Sequence, residues 1–272
     1  MPSGFTSNLP TEQPRRFPWR VFWFLVLASL ASAAAMIPFA LEVFRPVIES
    51  APRPPVPLPL LIIIGVVENF ALLALIVWVG LSLGRKLGLG APLLESWLYH
   101  EEATLKARDS LKSGVAFGIG VGVIILVVLL VMSRHFPGLP FTTAAKVAVW
   151  KRFLVCFYGA VDEEILAHLC LLSLIAWLMT RIFQKDKTRL SSGVFWSANI
   201  IVAILFGLGH LPNASMVMSI TPTVVIAALA VNGIAAIPLG YLYRKRGLES
   251  AMVAHFCADF VIYVIGVAFL RV

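Results

Sequence analysis

Val161-Asp162-Glu163-Glu164-Ile165-Leu166-Ala167-His168-Leu169-Cys170 places three consecutive acids inside a run that is otherwise hydrophobic from Phe153 to Met179. That run is long enough to cross a bilayer, which takes about 20 residues of helix. An acid at the centre of such a helix costs about 2.5–3.5 kcal/mol, while each large apolar residue returns only about 0.3–0.6 kcal/mol. Three ionised carboxylates therefore cancel much of the span's drive to insert. They need partners, water or protons, and ionisable groups at that depth mark functional sites.

The rest of the chain has the composition of a membrane protein. Hydrophobic residues make up 60% of 272 and charged residues 13%, against about 45–50% and 25% in soluble domains. The net charge of +8 does not point to nucleic acid, because Lys and Arg fall in short clusters between hydrophobic runs, as topology signals do. Cys156, Cys170 and Cys257 all lie in apolar runs, so no disulfide framework is expected.

Seven spans follow from the hydrophobic pattern: Val21–Phe44, Leu60–Leu83, Gly114–Met132, Phe153–Met179, Val194–Leu211, Ser219–Tyr243 and Ser250–Leu270. The expected fold class is an all-α polytopic helix bundle. Residues 1–20 read as a disordered cytoplasmic tail. Ala31-Ser32-Ala33 looks like a signal-peptide cleavage site, but the apolar run continues to Phe44, which favours an uncleaved helix. Pro52, Pro54, Pro55, Pro57 and Pro59 make a stiff extended connector. Glu68 and Asn69 in the second span are expected to make packing contacts. Pro92–Lys106, with Leu93, Leu94, Trp97 and Leu98 at helical spacing, suits either an interfacial helix or a solvated one. Gly114, Gly118 and Gly122 recur every fourth residue, which lets another helix approach closely. Fifteen Lys and Arg fall on the side of the N-terminal tail and seven on the other. The positive-inside rule then puts the N-terminus in the cytoplasm. The expected location is a bacterial plasma membrane, with membrane lipid as the surroundings.

Polar groups recur in the later spans. Glu164 and His168 are four apart and share a helical face, whereas Glu163 points about 100° away and is free to face a cavity. Phe206-Gly207-Leu208-Gly209-His210 lets a neighbour or substrate approach beside His210. His255 and Asp259 are again four apart. In lipid such groups satisfy one another only by converging. A carboxylate with an imidazole can bind a water and take its proton, and a second imidazole can donate to the oxyanion formed when that water attacks a carbonyl. His255 lies near the cytoplasmic end of its span and His210 near the outer end of its own. They meet only if the fifth span continues past Pro212 toward Met218, or if the boundaries lie several residues away.

Other hydrolase signatures are absent. His100-Glu101-Glu102-Ala103-Thr104 fails the His-Glu-x-x-His zinc pattern at its last position, and no Gly-x-Ser-x-Gly or Gly-x-Gly-Asp occurs. The chain resembles the CPBP intramembrane proteases (CAAX proteases and bacteriocin-processing enzymes, also called the abortive-infection family), which include type II CAAX prenyl endopeptidases. Their pattern is Glu-Glu-x-x-x-Arg, Phe-x-x-x-His and His-x-x-x-Asn or Asp on successive spans. Glu163-Glu164, Phe206 with His210, and His255 with Asp259 match it in order and spacing. The resemblance covers roughly Leu154–Val267.

The resemblance implies an intramembrane endopeptidase, with N-terminal transmembrane helices over 21–150 and a catalytic core over 151–270. Glu163 and His210 would activate the water, His255 and Asp259 would face the oxyanion, and Glu164 would support the site. His168 and Phe206 are supporting residues. Substrates would be prenylated CAAX-type proteins, bacteriocin leaders or small membrane peptides. Two positions depart from the pattern. His168 replaces the usual Arg and grips a carboxylate less firmly. Asp259 replaces Asn, and must be protonated to donate to an oxyanion or else act by orienting His255. No cofactor is required on this reading, although Glu163, His210 and His255 are also zinc ligands by type. The rival reading is a non-catalytic membrane scaffold, or an ion or proton transporter using the same buried groups. A transporter predicts an inverted internal repeat, and none is visible.

Overall fold

The structure, a computed structural model, describes residues 16–51, 57–100, 106–135, 146–184 and 189–269. Most of the expected tail, the middle of the proline connector and the loop around Ala144 lie outside the described residues. Every regular element among them is a helix: α1 (Trp19–Val43), α2 (Arg45–Ser50), α3 (Leu58–Gly84), α4 (Pro92–Tyr99), α5 (Ala107–His135), α6 (Val149–Phe183), α7 (Ser192–Gly209), α8 (Leu211–Ser215), α9 (Pro222–Arg246) and α10 (Leu248–Ile265). Seven spans are long and apolar enough to cross a membrane, with α7 and α8 together forming the fifth. The chain is an integral multi-pass membrane protein. Helices suit that setting because each satisfies its own backbone polar groups where no water is present to do so.

The central helix is α6, whose most apolar stretch is 50% buried against 17% for α3. Around it, Val21 and Leu25 of α1, Val77 and Leu81 of α3, Phe195 of α7 and Tyr243 of α9 pack with Leu169 and Leu172. A second core joins Val121, Ile125 and Leu129 of α5 to Leu239 and Leu242 of α9 and to Ala254 and Ala258 of α10.

The glycine stripe of α5 has a definite partner in α10. A Cβ at Gly114 would lie 2.8 Å from the Ser250 carbonyl oxygen, one at Gly122 would lie 2.9 Å from Cα of Ala258, and one at Gly118 would overlap the Ala254 backbone. Small residues thus face small residues at the same four-residue spacing, which brings the two backbones together. This contact braces α10 along the face opposite the polar groups described below.

Two features differ from expectation. Every residue from Ile63 to Phe70 is exposed, including Glu68 and Asn69, where packing contacts were expected. Burial along α3 begins only at Leu73 and continues through Val77 and Leu81, because the first half of the helix stands clear of the bundle. Cys156 and Cys170 are buried and Cys257 is half-buried. α4 is shorter than the stretch read from sequence. It is held to the bundle by Arg20, which donates to the Leu98 carbonyl at 2.8 Å, and by Glu249, which accepts from the Leu94 amide at 2.7 Å.

Candidate active site

The stretch carrying the acids is helical but not uniformly α. Residues Gly159–Glu163 and Ile165–Leu172 adopt the wider π register, a local form frequent at functional sites. Its looser winding turns less per residue than the α-helix. Glu163 and Glu164, adjacent in sequence, reach different nitrogens of one imidazole. Oε1 of Glu164 lies 2.8 Å from Nδ1 of His255, and Oε2 of Glu163 lies 3.5 Å from its Nε2.

Glu164 lies at the buried end of the constellation. Its other oxygen, Oε2, is 2.7 Å from Nδ1 of His168, and both side chains are 1% exposed. Nε2 of His168 faces the Ala236 carbonyl of α9 at 3.1 Å. A carbonyl only accepts, so Nε2 donates to it, and Nδ1 lies against Glu164. The imidazole thus fills the place of the expected Arg with one carboxylate contact and one backbone contact.

Glu163 and His210 form the accessible end. Their side chains are 24% and 39% exposed, and Oε1 of Glu163 is 3.8 Å from Nε2 of His210. His210 caps α7, and its Nδ1 donates to the Phe206 carbonyl at 2.7 Å. That bond fixes the tautomer and leaves the Nε2 lone pair pointing to Glu163. Phe206 also sets its ring edge-on to His210, with centroids 4.7 Å apart. The fifth span does not end here. After the break at His210 it runs on through α8 to Ser215, so His210 lies within the span and can share a level with His255.

Asp259 stands one turn along α10 from His255, with Oδ2 3.8 Å from Nε2. Both side chains press on the backbone of Gly159 in α6. A Cβ there would overlap Oδ2 of Asp259 and lie 3.0 Å from Nε2 of His255. Asp162 turns away from the group and accepts a hydrogen bond from Ser32 of α1. The structure therefore brings Glu163, Glu164, His168, His210, His255, Asp259 and Phe206 together from three helices. Gly159, Ala236 and the Ser32–Asp162 contact were not singled out from sequence. A lone glycine, a backbone carbonyl and a serine carry no pattern that would mark them.

Residues 144–261 match the family model described as Type II CAAX prenyl endopeptidase Rce1-like. This part of the chain is similar to that family. The matched segment runs from just before α6 into α10 and includes every polar residue of the site. The family is one of peptidases, consistent with the resemblance read from the three motifs. No curated protein and no solved structure matches the chain. As placed, Glu163, His210 and His255 do not form a metal-holding set, and no other group of three His, Cys, Asp or Glu among the described residues does so.

Proposed function

We propose that the chain is an intramembrane endopeptidase that hydrolyses a peptide bond with a water activated by Glu163 and His210. The observation that carries this reading is the graded convergence of the five motif residues. Glu163 and His210 are open to a ligand, whereas Glu164 is sealed behind them. The separation of 3.8 Å is too long for a direct hydrogen bond, and a water lying off the line between the two groups can reach both.

On this reading Glu163 takes a proton from that water as oxygen attacks the carbonyl carbon. The carbonyl oxygen gains the negative charge. Nε2 of His255 donates to it, with Asp259 beside the same nitrogen. Glu164 holds His255 through Nδ1, as a carboxylate orients an imidazole in other hydrolases. The proton held by Glu163 then passes to the leaving amine as the C–N bond breaks. The substrate is a prenylated CAAX-type protein or another small membrane-associated peptide, cleaved near the membrane interface. The N-terminus lies in the cytoplasm, and the membrane is a bacterial plasma membrane.

The test is hydrolysis of a quenched fluorescent prenyl-peptide by purified protein. Glu163→Gln, His210→Ala and His255→Ala should each abolish cleavage while the protein still folds. Full activity in all three would refute the assignment.

A further inference from the structure

Glu68 and Asn69 stand on the half of α3 that the bundle leaves uncovered. Every residue from Ile63 to Phe70 is exposed, and Leu72 and Leu75 beyond them are 56% and 55% exposed. Among the described residues neither Glu68 nor Asn69 has a hydrogen bond or an ion pair. Both lie within a membrane span. α3 has 27 residues, which make about 40 Å of helix against a hydrocarbon core of about 30 Å. Glu68 stands about 15 Å from the Leu58 end, so it lies about 10 Å inside a core centred on the helix. A carboxyl group facing lipid at that depth needs a polar partner.

The free side of α3 carries a continuous stripe. Gly65, Glu68, Asn69 and Leu72 are spaced i, i+3, i+4 and i+7, the pattern of a single helix face. Leu73, Val77 and Leu81, spaced by four, form the face that packs on the bundle, and each is at most 8% exposed. At 100° per residue the centres of the two faces lie about 130° apart, so filling one leaves the other free. The glycines divide in the same way. A Cβ at Gly80 would lie 2.7 Å from the Leu169 carbonyl oxygen of α6, whereas a Cβ at Gly65 meets nothing within 4 Å. Gly80 serves the contact with α6. Gly65 leaves room on the free stripe for a second helix to come close.

The polar pair selects the occupant. Copies of this chain inserted the same way up carry Glu68 and Asn69 at one depth, so two α3 helices side by side bring the two pairs level. In a two-fold arrangement residue i of one copy meets residue j of the other, and j meets i. Asn69 offers two N–H donors and Glu68 two carboxyl oxygens. Each copy thus supplies the group that the other lacks, and both carboxyl groups gain partners at once. A lipid acyl chain supplies neither donor nor acceptor.

We propose that the Gly65, Glu68, Asn69 and Leu72 stripe of α3 docks a second copy of this chain, forming a two-fold dimer within the membrane through reciprocal hydrogen bonds from Asn69 to Glu68. The proposal stands independently of the endopeptidase reading.

The test uses the full chain in liposomes of neutral lipid, with half the molecules carrying a donor fluorophore and half an acceptor at the C-terminus. Energy transfer should rise with the protein-to-lipid ratio and fall on dilution with lipid. Glu68→Leu combined with Asn69→Leu should weaken association about 10-fold, the scale of two interhelical hydrogen bonds. Gly65→Ile should weaken it by blocking the close approach. Both variants spare the face that packs on the bundle, so the midpoint of thermal unfolding in detergent should stay unchanged. In protein whose three native cysteines are replaced by alanine, Leu72→Cys should form an intermolecular disulfide on mild oxidation. Val67→Cys, 60% exposed but on the other side of the helix, should not. Energy transfer no greater than random mixing gives, transfer undiminished by Glu68→Leu with Asn69→Leu, or equal cross-linking at the two positions would each overturn the proposal. Cross-linking of Leu72→Cys to an added cysteine-containing substrate peptide, with no self-cross-link, would also overturn it and assign the stripe to a substrate helix.

Discussion

Glu164 grips His255 from behind: its Oε1 meets Nδ1 at 2.8 Å, and the carboxylate is 1% exposed. The same group holds His168 through its other oxygen, so one buried carboxylate aligns two imidazoles. Replacing it with Gln keeps the shape but turns an NH2 donor toward one ring. We expect Glu164→Gln to lower kcat about 10- to 100-fold, as loss of an orienting partner typically does, with KM nearly unchanged. Glu164→Ala leaves both imidazoles without their partner. It should cost about 3–5 kcal/mol of stability, read as a lower midpoint of thermal unfolding in detergent.

Gly159 offers a sharper test of the α6–α10 contact. Alanine favours a helix over glycine by about 1 kcal/mol, so a purely local effect of Gly159→Ala would stabilise α6. Its Cβ, however, would press on Asp259 and His255. We expect activity to fall about 100-fold, the scale of a 1 Å misplacement at a reacting centre, while circular dichroism shows helix content unchanged. Activity within twofold of the parent would mean that α10 can shift without consequence.

The sequence made the site's membership legible because lipid penalises each polar residue separately. Glu163, Glu164, His210, His255 and Asp259 all stand out against apolar neighbours, and four-residue spacing pairs His255 with Asp259 on any helix. Hydrophobic length likewise revealed the seven spans. Winding was hidden. The π register of Gly159–Glu163 leaves no periodicity of its own in the sequence. The exposure of Glu68 and Asn69 was hidden for a related reason, since an apolar run records burial in lipid and in protein alike. The level of His210 became clear only with α8, which continues the span past a proline that sequence reads as its end.

The stripe of α5 provides its own control. Gly118→Ala drives a Cβ into the Ala254 backbone, whereas a Cβ at Gly120 meets nothing within 4 Å. Gly118→Ala should destabilise the protein by about 1–3 kcal/mol through overpacking. It should also lower activity, because α10 carries His255 and Asp259. Gly120→Ala should be neutral or slightly stabilising by helix propensity. Thermal unfolding of the two variants in the same detergent measures the difference directly, and equal midpoints would show that α5 and α10 do not pack through this stripe.

Chelation separates the two ways of activating water. A catalytic zinc takes three protein ligands at about 2.0–2.2 Å and an open position. Here Nδ1 of His210 is bonded to the Phe206 carbonyl and Nδ1 of His255 to Glu164, which leaves one Nε2 from each ring and Glu163 as the available donors. Nε2 of His255 is flanked by both Glu163 and Asp259, as suits a donor to an oxyanion. We therefore expect prolonged dialysis against a strong chelator to leave kcat/KM within about twofold of its starting value, measured on the prenyl-peptide with Glu163→Gln as the inactive reference. Loss of cleavage restored by stoichiometric zinc would instead make Glu163, His210 and His255 the ligands, and the attacking water would then owe its acidity to the metal.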